Sequence, residues 1–199
     1  MNEHSPLPTV HRTTQAAEGL PRWRWTVSDL DRLVETGLMR EDDRVELIGG
    51  ELVPMASKGN RHENVKTKIL NWMMRRMPEG LELSIELGWR AGDDTYLEPD
   101  IVVFPVAREV SRVAPGDMLL VIEVGASSYG FDTGRKSQVY AALGVRDYWV
   151  VNAASLETKV YRKPSANGYG TITQVAPGEA LTPLLVAPLA VKLADLGLD

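Results

Sequence analysis

The sequence predicts an α/β protein, a mixed sheet flanked by helices. Three observations carry that reading. Met118–Val124 is apolar at every position except Glu123, the pattern of a central strand covered on both faces. Downstream, Lys136, Val139, Tyr140 and Leu143 recur at i, i+3, i+4 and i+7, one face of a helix. The chain then returns as the strand Asp147–Val151, and strand–helix–strand demands a right-handed crossover and a parallel pair.

In chain order, Thr26–Thr36 reads as a short helix. Thr26 can cap it with Asp29 three residues on, Val27, Leu30, Leu33 and Val34 share a face, and Gly37 can end it. Val45–Ile48 and Glu51–Met55 flank Gly49-Gly50, a two-residue hairpin signal. Asn60–Met77 is the first long helix, with Asn60 as cap, Glu63 at the capping-box position and Pro78 as the stop. Its apolar stripe is Val65, Ile69, Trp72, Met73 and Met77. Leu81–Arg90 alternates as a half-buried strand. Gly92-Asp93-Asp94 turns the chain into the strand Tyr96–Phe104, where Pro99 marks an irregular point just before Asp100. Asp132 is expected to cap the second helix, which runs to Leu143 and ends at Gly144. Glu157–Arg162 and Thr171–Val175 form a β-ribbon, and residues 176–199 wrap the core as irregular structure.

Composition narrows the function classes. The chain has 199 residues, a net charge of −5 and no cysteine. Thiol catalysis, zinc–thiolate sites and a disulfide framework are therefore excluded. No apolar run approaches the roughly 20 residues of a membrane helix, and the first twenty residues lack the apolar core of a secretory signal. A cytoplasmic protein is expected. Residues 1–21 read as a disordered tail, and His4 and His11 as solvated. Residues 22–199 read as a single domain. The acidic balance argues weakly against a large phosphate-binding surface.

The chemistry centres on charges inside apolar runs. Asp100 adjoins Ile101–Phe104, Glu123 lies within the central strand, and Lys136 lies on the core-facing stripe of the second helix. A buried carboxylate without a partner costs several kcal/mol, so the two on neighbouring strands need a shared explanation, and a bound cation is the simplest. Two carboxylates and a lysine suit metal-assisted phosphodiester hydrolysis: the carboxylates hold Mg²⁺ and the lysine orients the attacking water or stabilises an oxyanion. The alternative is an Asp100–Lys136 ion pair with Glu123 at a strand end. Glu46, sharing a strand face with Ile48, can complete the metal site, support Lys136 or sit at the surface. His62, in the first turn of a helix, can meet a phosphate, although a surface histidine is the favoured reading. Arg61, Lys66, Lys68, Arg75, Arg76, Arg135, Arg162 and Lys163 form no dense stripe, so a solvated surface is the ordinary reading.

Pro99-Asp100 followed by Glu123 resembles the PD-(D/E)XK nuclease superfamily, whose core runs helix, three strands, helix, strand. More closely, Arg44–Leu52 (RVELIGGEL), Arg61-His62, Leu97–Asp100, Ile122–Val124, Asp132 with Lys136 and Tyr140, and Gly144–Val151 (GVRDYWVV) resemble the Uma-type restriction endonucleases, small bacterial proteins. The resemblance implies a restriction-endonuclease-like core with a mixed central sheet flanked by helices, plus an N-terminal hairpin and a C-terminal β-ribbon. It also implies a Mg²⁺- or Mn²⁺-dependent endonuclease acting on DNA, with Asp100 and Glu123 as metal ligands and Lys136 as the catalytic lysine. A homodimer would supply further phosphate contacts. The superfamily's lysine normally lies two residues after the glutamate, where this chain has Gly125. Gly-Ala-Ser-Ser (125–128) and Asn152 also depart from the family pattern. The competing function is a non-catalytic module on the same scaffold, binding nucleic acid or a protein partner. A glycosidase using paired carboxylates gives Lys136 no clear role.

Overall fold

The computed structural model describes residues 22–40 and 42–198; the tail expected at 1–21 lies outside them. Helix α1 (Val27–Glu35) starts as its sequence dictates. The Thr26 hydroxyl accepts from Asp29 N–H, and Thr26 N–H donates to the Asp29 carboxylate, a complete capping box. Strands β1 (Val45–Ile48) and β2 (Glu51–Pro54) pair antiparallel around Gly49-Gly50. Both glycines have positive φ, 60° and 81°, as a twist-matched two-residue hairpin turn requires.

Helix α2 (Asn60–Met74) is shorter than its sequence suggests, and Asn60 does not cap it. Gly59 occupies the cap position in extended conformation with no side-chain bond, and Arg75 ends the helix before Met77. His62, Val65, Lys66, Ile69 and Met73 form its buried face.

The two long strands expected at Leu81–Arg90 and Tyr96–Phe104 are each split in two. They appear as β3 (Leu81–Ile85), β4 (Trp89–Gly92), β5 (Thr95–Leu97) and β6 (Ile101–Pro105). The single expected sheet is accordingly two. A four-stranded sheet has the order β2-β1-β5-β4. The six-stranded sheet uses β7 (Leu120–Gly125), β8 (Asp147–Asn152), β9 (Thr158–Ser165) and β10 (Gly168–Val175) in the order β10-β9-β8-β7-β6-β3. The chain leaves the large sheet at Glu86, a non-glycine residue at φ 50°, and returns at Asp100. Glu86 N–H donates to Asp100 O at 3.2 Å next to the Ile85↔Ile101 rung. Pro99, without an N–H, cannot continue a ladder.

Strand β7 is buried throughout, antiparallel to β6 and parallel to β8. The helix after it spans 129–143: α3 (Tyr129–Phe131), a π-helical turn (Asp132–Lys136), then α4 (Ser137–Leu143), which ends at Gly144 with φ 85°. Asp132 therefore lies inside the helix rather than capping it. The ribbon β9–β10 extends the large sheet. One face of that sheet packs on α2 and the C-terminal segment through Ile101, Ile122, Val151, Leu189 and Val191. Its other face, with Val102, Val121 and Tyr148, meets the small sheet and α4. The second interface holds the site.

Candidate active site

Period-two alternation puts Glu123 on the same face of β7 as Val121, toward the small sheet and α4. Glu123 is 4% exposed, and its Oε1 accepts from Lys136 Nζ at 2.8 Å and from Tyr140 Oη at 3.0 Å. Lys136 Nζ also lies 2.8 Å from Glu46 Oε1, which takes Glu98 N–H at 2.9 Å. The small sheet thus contributes Glu46 from β1, the large sheet Glu123 from β7, and the helix the lysine between them. Asp100, at the start of β6, spends Oδ2 on Val124 N–H (2.9 Å) and on His62 Nε2 (3.0 Å), while Oδ1 faces Lys58 Nζ at 3.1 Å. His62 Nδ1 faces Glu63 Oε1 at 3.2 Å. Both ring nitrogens thus meet carboxylates. Of these side chains, Glu46, His62, Asp100, Glu123 and Lys136 line a cleft of about 200 Å³, together with the loop 54–58, Ser127, Ser128 and Asp132.

The five residues proposed for the site from the sequence all reach this cleft. Asp100, Glu123, Lys136, Glu46 and His62 are all buried and all line it. His62 is not the surface histidine favoured from sequence; the α2 stripe turns it inward against Asp100. Lys58, Glu86 and Asp132 were missed as site residues. Lys58 gives no signal, being one lysine in a loop. Lys66 gave one: with His62, Ile69 and Met73 it continues the buried stripe of α2. Lys66 Nζ pairs with Glu63 at 2.9 Å and Glu86 at 2.6 Å. Other basic residues are engaged as well. Arg61 donates to the Ala153 and Leu198 carbonyls, Arg135 to Ile48 O and Glu51, and Arg162 to Asp147.

Electrostatics follow from this burial. Desolvation raises Glu123 well above its ordinary range, against the pull of Lys136. Burial opposes the Lys136 charge, but the Glu123, Glu46 and Asp132 carboxylates outweigh it and raise its pKa. Burial likewise works against the Asp100 charge, yet His62, Lys58 and Val124 N–H hold its pKa well below the carboxylate range. Asp132 is pushed up to about 6, chiefly by burial. Glu86 is held down to about 2 by its hydrogen bonds from Lys58 and Lys66.

A family model described as "Putative restriction endonuclease" (Uma2) matches residues 27–195. The chain belongs to this family. Among solved structures it is similar to a protein from Anabaena variabilis described as a "putative nuclease belonging to DUF820", at TM-score 0.62 and 19% identity over 81% of this chain and 94% of that one. No curated protein matches the chain. The fold is therefore restriction-endonuclease-like, as the Uma-type resemblance implied. At Gly125 the strand leaves no room for a side chain. A Cβ at Gly125 would lie 2.7 Å from Tyr129 Cα and 2.9 Å from Tyr129 Cβ, so the helix start occupies the space a side chain would need.

Among the described residues, no three His, Asp or Glu side chains form a ready cage. Mg²⁺ does not need one, because it keeps several waters and commonly takes one or two carboxylates. Glu123 Oε2 is buried and accepts no hydrogen bond from any described residue, since both bonds go to Oε1. An unpaired carboxylate oxygen on a buried side chain is costly, and with the Asp100 charge near enough to raise the Glu123 pKa it suits a cation.

Proposed function

We propose that the protein is a Mg²⁺- or Mn²⁺-dependent endonuclease that hydrolyses phosphodiester bonds in DNA, with residues 22–199 as one nuclease-like domain. The observation that carries this reading is the buried Lys136, held 2.8 Å from both Glu46 and Glu123 on the wall of a cleft that Asp100 also lines. A lysine fixed in this way is a poor choice for stability alone, because a hydrophobic replacement of a buried ionic cluster is often as stable. It is well placed to donate to a developing oxyanion in a site shielded from water.

Asp100 and Glu123 would hold the cation, which when bound neutralises phosphate charge and makes water a better nucleophile. Glu46 positions Lys136, and Tyr140 fixes the Glu123 carboxylate through Oε1, leaving Oε2 free. His62 and Val124 N–H lock Asp100 through Oδ2. Lys136 then orients the attacking water or stabilises the charge that builds on the phosphate.

Nicking of supercoiled plasmid with Mg²⁺ or Mn²⁺ tests the proposal, with calorimetry of the metal alone beside it. Wild type should cut. Asp100→Asn should stay folded, bind little metal and lose cleavage by roughly 10²–10³-fold or more. If wild type cuts no form of DNA with either metal, a non-catalytic module becomes the better reading.

A further inference from the structure

We infer that Lys58 is a positioning residue, an internal cation that holds Asp100 in the metal-free protein and competes with the divalent ion for Asp100 Oδ1. The inference rests on the reading of Asp100 as a metal ligand and concerns how that ligand is gated. The two oxygens of Asp100 are used differently. Oδ2 is committed to the scaffold, to Val124 N–H on β7 and His62 on α2. Among the described residues Oδ1 has one partner, the Lys58 ammonium at 3.1 Å. Freeing Oδ2 would mean breaking a strand contact, whereas freeing Oδ1 needs only a flexible side chain to swing. Lys58 lies on the loop between β2 and α2 that lines the cleft.

Glu86 gives the displaced ammonium somewhere to stay. Lys58 Nζ already lies 2.7 Å from Glu86 Oε1, so leaving Asp100 does not leave it unpaired. Glu86 is itself anchored, by Lys66 at 2.6 Å and through its backbone to Asp100 O. It also holds a left-handed backbone, φ 50°, uncommon for a residue with a side chain. Strain of this kind persists where surrounding contacts fix the residue. Glu86 therefore shares Lys58 with Asp100, and strengthening or weakening either arm should bias the other.

Calorimetric titration of the full chain with MnCl₂ alone, without DNA, tests this. Lys58→Met removes the competitor and should bind Mn²⁺ on the order of tenfold tighter than wild type; two unit charges about 4 Å apart near a protein surface interact strongly enough for such an effect after partial compensation by water. Lys58→Arg keeps the charge and should bind much as wild type does. Glu86→Gln removes the other arm, leaves Lys58 to Asp100 and should weaken Mn²⁺ binding several-fold. Equal or weaker binding by Lys58→Met overturns the inference, as does tighter binding by Glu86→Gln. If Lys58→Met does not fold, the sign of the Glu86→Gln change decides. Equal binding by wild type and Lys58→Met, abolished by Asp100→Asn, overturns only the competition. No Mn²⁺ binding by any chain overturns the metal reading with it.

Discussion

Lys136→Met should destabilise the protein strongly, and in a pH-dependent way. Wild-type Lys136 compensates two carboxylates that are each 5% exposed or less. Among the described residues, methionine leaves Glu46 with only Glu98 N–H and Glu123 with only Tyr140 Oη. Breaking a buried ion pair by removing one partner costs about 3–5 kcal/mol. For a chain of this size that corresponds to a fall in Tm of roughly 6–20 °C. Glu123 is already raised by burial, and without the lysine it rises further. A carboxyl whose folded pKa exceeds its unfolded value favours folding below the unfolded value and loses that contribution as pH rises through the folded one. The deficit of the variant should therefore be largest near neutral pH and shrink toward 4.5, the ordinary glutamate value. In wild type the raised Lys136 contributes stability fully below 10.5 and loses it above that, as pH rises through the folded value. Adding Glu46→Gln to Lys136→Met removes one uncompensated carboxylate and should restore part of the loss, about 1 kcal/mol or more. Melting curves by circular dichroism at near-neutral and acidic pH measure all of this. A variant that melts within about 2 °C of wild type at neutral pH, or whose deficit does not change with pH, would refute the reasoning.

Other perturbations separate the site from its scaffold. Asp132 is raised from 3.8 to about 6 by burial, so it favours folding while protonated and loses that contribution between those values; Asp132→Asn should gain roughly 3 kcal/mol over wild type at neutral pH and little below pH 4, read from urea midpoints. Gly125→Ala places a methyl against Tyr129 backbone at 2.7 Å and should cost about 1–3 kcal/mol. Gly125→Lys should unfold the helix start rather than rescue Lys136→Met in the plasmid assay. Asp147 is fully buried and accepts from Arg162, Trp149 Nε1 and Leu184 N–H; Asp147→Ala should cost about 3 kcal/mol and leave Mn²⁺ affinity unchanged in calorimetry below its melting temperature.

Local chemistry made much of the fold legible. The capping box at Thr26, the double-glycine hairpin and the central strand each follow from residues within one turn or one strand. The split at Glu86 left no such trace. Leu81 and Leu83 pack on the α2 side of the large sheet, whereas Leu87 and Trp89 belong to the core between the two sheets, and the alternation runs on across the change, so period alone does not reveal it. Gly88 was the one local clue, since a Cβ there would meet Tyr96 Oη at 2.7 Å, and that contact exists only once the sheets are packed. Asp132 misled because a helix-capping residue type stands where the helix is already under way.

The site was legible where charge interrupts an apolar pattern, as at Glu123 and Lys136, and illegible where a charge sits among small and polar residues, as at Lys58, or fills an expected polar place in an alternating pattern, as at Glu86 between Ile85 and Leu87. The structure also accounts for a lysine arriving from the helix instead of the strand. Gly125 leaves no room for a side chain, so the amine must reach Glu123 from the next element. The π-helical turn brings Asp132 and Lys136 onto the cleft together, because widening the turn moves residues four to five apart onto one side. A widened turn frees carbonyls, and these are taken. Tyr148 Oη donates to Asp132 O at 3.0 Å, Tyr161 Oη to Thr133 O at 3.2 Å, and Ser137 Oγ to Gly134 O at 2.8 Å. The two tyrosines come from β8 and β9, strands of the large sheet. The sheet therefore supports the helical distortion that aims Lys136, and the placement of the lysine is a property of the whole interface between the two sheets and the helix.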